Sequence, residues 1–120
     1  MHEMNLAVTL VRRVQAEAGK AHLARVTGVE LEVGALQSVE VDLLADAFRA
    51  AALGTPAEGA ELRFQSVKAS ADCLICGESY EPTFGDYQCP ACGQAEPQIL
   101  SGRDLILTAV TGVLSEGRHV

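Results

Sequence analysis

Cys73-Leu74-Ile75-Cys76-Gly77 and Cys89-Pro90-Ala91-Cys92-Gly93 are two Cys-x-x-Cys-Gly runs separated by twelve residues. Two residues between the cysteines of a pair let one tight turn aim both sulfurs at a common point. The Gly after each pair can take the positive-φ position that such a knuckle needs. Two knuckles face to face make a closed tetrahedral S₄ set, the arrangement preferred by structural zinc, and leave no ligand position for an activated water. Two disulfides and a rubredoxin-like iron site are the competing uses of four cysteines. Redox compartment weighs against the first, and the metal preference of S₄ sites weighs, less decisively, against the second. A thioredoxin-type dithiol would be one pair at a helix start, not two matched pairs. Few large apolar residues lie between Asp72 and Glu96, so this stretch cannot build its own core. Structural zinc supplies on the order of 10–16 kcal/mol of apparent folding free energy in such modules.

Outward from the cysteines the composition changes on both sides. Prolines 82, 90 and 97 and glycines 77, 85 and 93 crowd the region from about Lys68 to Gln98. Before it, Leu6, Leu10, Val14 and Ala18 step by four with Val11 widening the stripe, which predicts an amphipathic helix with Asn5 as N-cap and Gly19 as stop. Val29, Leu31 and Val33 alternate with Glu30 and Glu32, a half-buried strand ended by Gly34. Ser38 precedes a second helical stripe of Val41, Leu44, Ala45, Phe48 and Ala52, closed by Gly54-Thr55-Pro56, and Leu62 and Phe64 mark a second strand. Strand, helix, strand favours a right-handed crossover with the two strands parallel. After the cysteines, residues 105–110 are apolar on nearly both faces, which suits a strand inside a sheet better than one at a wet edge. The expected fold is therefore α+β: a sheet of about three strands packed by two helices, with a four-cysteine zinc-ribbon module inserted. The expected domains are a discontinuous αβ domain of residues 1–67 plus 99–120 and a zinc-binding domain of residues 68–98.

The whole chain has 120 residues, 48% hydrophobic but only 4% aromatic and without Trp, so Ala, Val and Leu must fill one modest core. Its formal net charge is −7, and four zinc-bound thiolates would make it more negative still. That balance argues against gripping a phosphate backbone or an anionic membrane, since both need clustered Lys and Arg. No apolar run reaches membrane-span length, and Met1-His2-Glu3-Met4-Asn5 lacks the basic start of a signal peptide, so a cytoplasmic protein is expected.

Met1-His2-Glu3 says little by composition, because a terminal His is usually frayed and solvated. Its chemistry is more pointed. A free α-amine, a deprotonated amide and the His2 imidazole lie within two linked chelate rings, and nitrogen-rich planar sets of this kind suit Ni(II) and Cu(II). A bulky His at position 2 also disfavours removal of Met1.

Met1-His2-Glu3 opening a helix, Gly54-Thr55 closing a second, and Cys-x-x-Cys followed by Cys-Pro-x-Cys-Gly together resemble the HypA/HybF family of hydrogenase nickel-incorporation proteins. Val33-Gly34, Glu58-Gly59-Ala60-x-Leu62 and Gly102-x-x-Leu105 extend the match along the chain. The resemblance implies a nickel metallochaperone and not an enzyme. It implies one transported Ni(II) at the Met1 amine, His2 and Glu3, and one structural Zn(II) at Cys73, Cys76, Cys89 and Cys92. It also implies a HypB GTPase partner, delivery to the large subunit of [NiFe]-hydrogenase and, in some organisms, a contribution to urease maturation.

Glu40 stands where the family offers a further acidic nickel ligand. Its plainer role is a helix N-terminal carboxylate favoured by the macrodipole. Asn5 for the usual Ser and Asp104 for the usual Glu depart from the pattern without touching a proposed ligand. His22, in a turn, and His119, next to last, read as surface residues, and Leu44, Phe48 and Phe64 as core. A zinc-ribbon adaptor or nucleic-acid-binding module without a nickel role is the alternative. Scarce Lys, Arg and stacking aromatics count against nucleic acid. A hydrolase or redox enzyme has no nucleophile–base pair to offer. Monomer and dimer both remain open.

Overall fold

The computed structural model describes residues 2–115, and of His2 only the backbone; Met1 and His119 lie outside the described residues. The chain runs α1 (His2–Lys20), β1 (Leu23–Gly34), a 3-10 turn (Ala35–Gln37), α2 (Val41–Ala51), β2 (Glu61–Val67), β3 (Ser70–Cys73), β4 (Ser79–Tyr80), β5 (Pro97–Ser101) and β6 (Leu105–Leu114). Two three-stranded sheets form, in the orders β2-β1-β6 and β4-β3-β5. The α+β architecture with two helices and a small cysteine-bearing sheet is the one expected.

Two compact units are present. Among the described residues, one comprises 2–31, 39–64 and 107–115, and the other 32–38 and 65–106. In the first, Ala7, Leu10, Val11, Val14 and Ala18 of α1, Leu44 and Phe48 of α2, and Val26, Val29 and Leu31 of β1 are buried. The step-of-four and alternating patterns thus meet in one core, as amphipathic elements must. Phe64 is only half-buried, because β2 is an edge strand with one side unpaired.

The ends of the elements differ from expectation. Asn5 is not a cap but lies within α1, which begins at His2 with Glu3 in its first turn. Nor does Gly19 end that helix, which continues to Lys20. His22 takes the left-handed turn (φ 60), its amide donating to the Gly19 carbonyl. Ser38 likewise occupies a left-handed position (φ 54), and Glu40 is the N-cap of α2 by backbone conformation, without a side-chain capping bond. Gly54 (φ 78) does close the second helix, and the Thr55 hydroxyl donates to the Ala52 carbonyl while accepting from the Ala57 amide.

β6 returns to β1, not to the cysteine sheet. The Gly34 amide donates to Asp104 at the start of β6 and the Ser115 amide donates to His22 at the start of β1, so the two strands run antiparallel. The two-sided apolar pattern of β6 nevertheless does not place it inside the sheet. It forms the edge, and Val113 and Leu114 are exposed.

In the second unit no large aliphatic side chain between Gln65 and Ile106 is buried. Ala69, Ala71, Cys73, Pro82 and Cys89 are buried there. Gly102 (φ 85) packs against the backbone of Ala69, and the Ser70 and Ser101 hydroxyls bond each other at 2.6 Å. The Leu36 amide donates to the Gly102 carbonyl, and Gln37 Nε2 donates to the Arg103 carbonyl at 2.7 Å.

Candidate metal centre

β3 delivers Cys73 at its end, and the chain turns at once. The Gly77 amide donates to the Cys73 carbonyl (2.8 Å) and the Cys73 amide donates to the Glu78 carbonyl (2.8 Å). The second knuckle repeats this geometry, with Gly93 bonding Cys89 (2.9 Å) and Cys89 bonding Gln94 (2.8 Å). Gly77 and Gly93 have φ of 81° and 79°. A residue with a Cβ is strained there, which is the reason each pair is followed by glycine.

The Cys73 and Cys92 sulfurs are 3.6 Å apart, those of Cys76 and Cys89 3.7 Å, and all four lie within 4.8 Å of one another. Zn–S bonds of about 2.3 Å in a tetrahedron require sulfurs about 3.8 Å apart. Two of the six separations match that value and the others stay within 4.8 Å, so the donor set is suited to such an ion. These separations are far beyond a disulfide bond, and all four cysteines are free. The first cysteine of each pair is buried and the second exposed, so one edge of the site faces solvent.

Ionisation is uneven. The Cys76 amide donates to the Cys73 sulfur and outweighs burial, lowering that thiol to about 7. Cys76 is pushed up to about 12, because desolvation and the Cys89, Cys92 and Cys73 sulfurs overcome the lowering effect of the Glu78 amide. Cys92 is also raised, the Gln94 amide lowering it less than burial and the Cys73 and Cys89 sulfurs raise it. One negative charge is held readily and further ones are resisted, so a cation is what allows four thiolates to coexist. Tyr80 is raised by burial and by the charges of Cys73, Cys89 and Cys92, so it stays a neutral donor, and its hydroxyl gives a 2.6 Å bond to the Tyr87 carbonyl. That tether, which the sequence did not announce, ties β4 to the approach of the second knuckle.

Proton competition gives a testable sign. Protons compete with the metal for thiolates, so affinity falls as pH falls. Below about 7 even Cys73, whose thiol the Cys76 amide lowers, is protonated in the metal-free site. Metal retention against a chelator is expected to be complete at pH 8 and to drop steeply between about pH 6 and 4. A chromophoric zinc indicator reads this directly, and retention independent of pH would contradict a thiolate shell.

The N-terminal residues are a separate feature. Within the first unit, α1 and α2 begin close together: Glu3 Oε2 accepts a 3.3 Å hydrogen bond from the backbone amide of Glu40, whose side chain is exposed. Glu3 thus does for α2 what a capping side chain would do, receiving an otherwise orphan amide of a helix start.

The family model for hydrogenase/urease nickel incorporation metallochaperones, HypA, matches residues 1–112. This chain belongs to the HypA family. A hydrogenase maturation factor HypA from Chlorobium phaeobacteroides is 41% identical over 111 residues, covering 92% of this chain and 98% of the relative. That of Aeromonas hydrophila is 36% identical over 110 residues, 92% of this chain and 97% of the relative. The HypA fold is shared with the solution structure of the Ni metallochaperone HypA from Helicobacter pylori (TM-score 0.70, 18% identity, 94% of this chain and 98% of that one). A second HypA solution structure superposes with a TM-score of 0.69 at 20% identity, over 96% of this chain and 98% of that one. HypA proteins are metallochaperones for hydrogenase maturation, and the four-cysteine set of this member is suited to a metal such as zinc.

Proposed function

We propose that this chain binds one Ni(II) through the Met1 amine, His2 and Glu3, with Glu40 a further candidate, and delivers it to the large subunit of [NiFe]-hydrogenase. Cys73, Cys76, Cys89 and Cys92 hold one structural zinc. In this reading the functional division is a nickel-binding domain of residues 1–67 plus 99–120 and a zinc-binding domain of residues 68–98. The partners are a HypB GTPase and the hydrogenase large subunit, with urease maturation as a second outlet, and the setting is cytoplasmic. No helix among the described residues is long and apolar enough to cross a membrane.

The observation that carries the nickel reading is the Glu3–Glu40 contact. Two helix N-termini converge there, and each presents roughly half a positive charge, which disfavours a bare cation. Two carboxylates at that spot offset the helix charges and make a divalent ion tolerable. The hold stays modest, which suits a carrier that must release its cargo. The amine, the imidazole and any amide ligand must each lose a proton to bind, so nickel leaves as pH falls.

Calorimetric titration with NiSO₄ tests this. His2→Ala is expected to abolish binding while zinc content and helical circular dichroism stay unchanged. Fusing Gly-Ser ahead of Met1 turns the amine into an amide and is expected to weaken binding by at least the roughly 10–100-fold that losing an outer-shell partner of a metal ligand costs. A C-terminal tag should do nothing. Full affinity in the extended protein would remove the amine from the mechanism.

A further inference from the structure

The four sulfurs of the cysteine centre are not equivalent. Cys76 and Cys92, the second of each pair, are exposed, while Cys73 and Cys89 are buried. Each exposed sulfur has a buried one close by on the opposite knuckle: Cys92 lies 3.6 Å from Cys73, and Cys76 lies 3.7 Å from Cys89. Both short separations therefore cross from one knuckle to the other. Exposure and a second sulfur within reach are what a thiolate needs to react reversibly with an oxidant. A cysteine bound to a cation is already deprotonated, so the exposed members of a filled site are nucleophiles that a reagent in solution can reach.

We propose that this centre is also a peroxide-modification site, at which hydrogen peroxide converts the four thiolates into two crossed disulfides, Cys73–Cys92 and Cys76–Cys89. It rests on the zinc reading above for the state in which the thiolates are held. First, the exposed thiolate of Cys76 or Cys92 attacks a peroxide oxygen. The S–O bond forms, the O–O bond breaks, and the leaving hydroxide takes a proton to become water. Next, the buried thiolate of the opposite knuckle attacks the sulfenic sulfur. The S–S bond forms, the S–O bond breaks, and the second hydroxide leaves and is protonated in turn. Each disulfide thus consumes one peroxide and two protons, moves two electrons from sulfur to oxygen and yields two waters. It also withdraws two donors from the ion, so zinc is released.

The crossing decides what becomes of the module. The sulfurs must close from 3.6 and 3.7 Å to about 2 Å. The two turns, held by the bonds from the Gly77 amide to Cys73 and from the Gly93 amide to Cys89, need not open for that. Bonds between the knuckles hold together what the metal held together, whereas a bond within each knuckle would leave the two free to part. The oxidised, metal-free module therefore stays folded where the reduced, metal-free one does not, and reduction restores the ligand set.

Hydrogen peroxide added to the full-length, zinc-loaded chain tests this. Zinc measured before the addition reads the metal assignment by itself, and the disulfide linkage reads the pairing whether or not zinc is present. Free thiols should fall from four to none as bound zinc is released, and dithiothreitol with added zinc should reverse both. Cleavage after Glu78, between the two pairs, should leave the peptide of Cys73 and Cys76 disulfide-linked to that of Cys89 and Cys92. In the half-oxidised chain, alkylation after zinc removal should mark Cys73 together with Cys92, or Cys76 together with Cys89. Amide exchange in β3 of the oxidised chain should stay at least about tenfold slower than in chain stripped of zinc under reducing conditions. Separate peptides, each closed within its own knuckle, overturn the proposal. So do sulfinic acids in place of disulfides, or a β3 that exchanges as fast as in the stripped, reduced chain.

Discussion

Cys89→Ser is expected to strip the zinc and to unfold residues 70–101 while leaving α1, α2 and β1 folded. Cys89 is 1% exposed, and its sulfur lies 3.7 Å from that of Cys76. Serine removes a thiolate and leaves an open coordination position. Between Gln65 and Ile106 the module has no aliphatic core to fall back on, only alanines, Pro82 and the cysteines themselves. Metal binding in modules of this kind contributes on the order of 10–16 kcal/mol, more than the remaining hydrogen bonds between β3, β4 and β5 can replace. Zinc content should fall from one equivalent to a small fraction. Amide exchange should become fast from Ser70 to Ser101 and remain slow in α1. A variant that keeps a full equivalent of zinc and a protected β3 would show that the module does not rest on its metal.

Gly102→Ala is expected to destabilise the protein by about 3 kcal/mol or more, a loss above about 10 °C in midpoint temperature. Two costs combine. Gly102 has φ of 85°, where a side chain is strained by about 1–2 kcal/mol. A Cβ there would also lie 2.5 Å from the Cα of Ala69 and 2.8 Å from the carbonyl oxygen of Lys68. Ala69 is 2% exposed and both groups are backbone, so relief means moving the chain between β2 and β3. Gly54→Ala is the control. Its φ is 78°, but nothing lies within 4 Å of the added carbon, so only the strain of about 1 kcal/mol should appear. Equal losses in the two variants by urea denaturation would show that close approach at Gly102 contributes nothing.

The metal centre was legible because its information is local. Two residues between cysteines, glycine after each pair and a charge-poor turn make a knuckle in any fold, and pairing two knuckles needs only that they be brought face to face. The helices were legible for the same kind of reason: Leu6, Leu10, Val14 and Ala18 repeat at the helical period before any partner is known. Glu3 and Glu40 could each be named from the sequence as acidic residues near helix starts. That the first accepts the amide of the second, 37 positions away, could not.

Boundaries and neighbours belonged to the tertiary structure. Alternation marked Val29–Val33 as strand, but β1 begins at Leu23, since Thr27 and Gly28 are held by β6: a Cβ at Gly28 would meet the Thr111 hydroxyl at 2.7 Å. A glycine that weakens the strand pattern in one dimension makes room for a neighbour 83 residues later. The reading of β6 failed in the complementary way. Apolar residues on both faces of a strand report that both faces are to be covered, without saying by what, and in a single copy of the chain β6 lies at an edge. Side-chain period and ligand spacing are properties of a few consecutive residues, so the sequence alone determined the helices, the metal knuckles and the α+β class. Sheet order, close backbone approach at Gly34 and Gly102, and the meeting of two helix starts depend on segments distant along the chain, and only packing decides which of them touch.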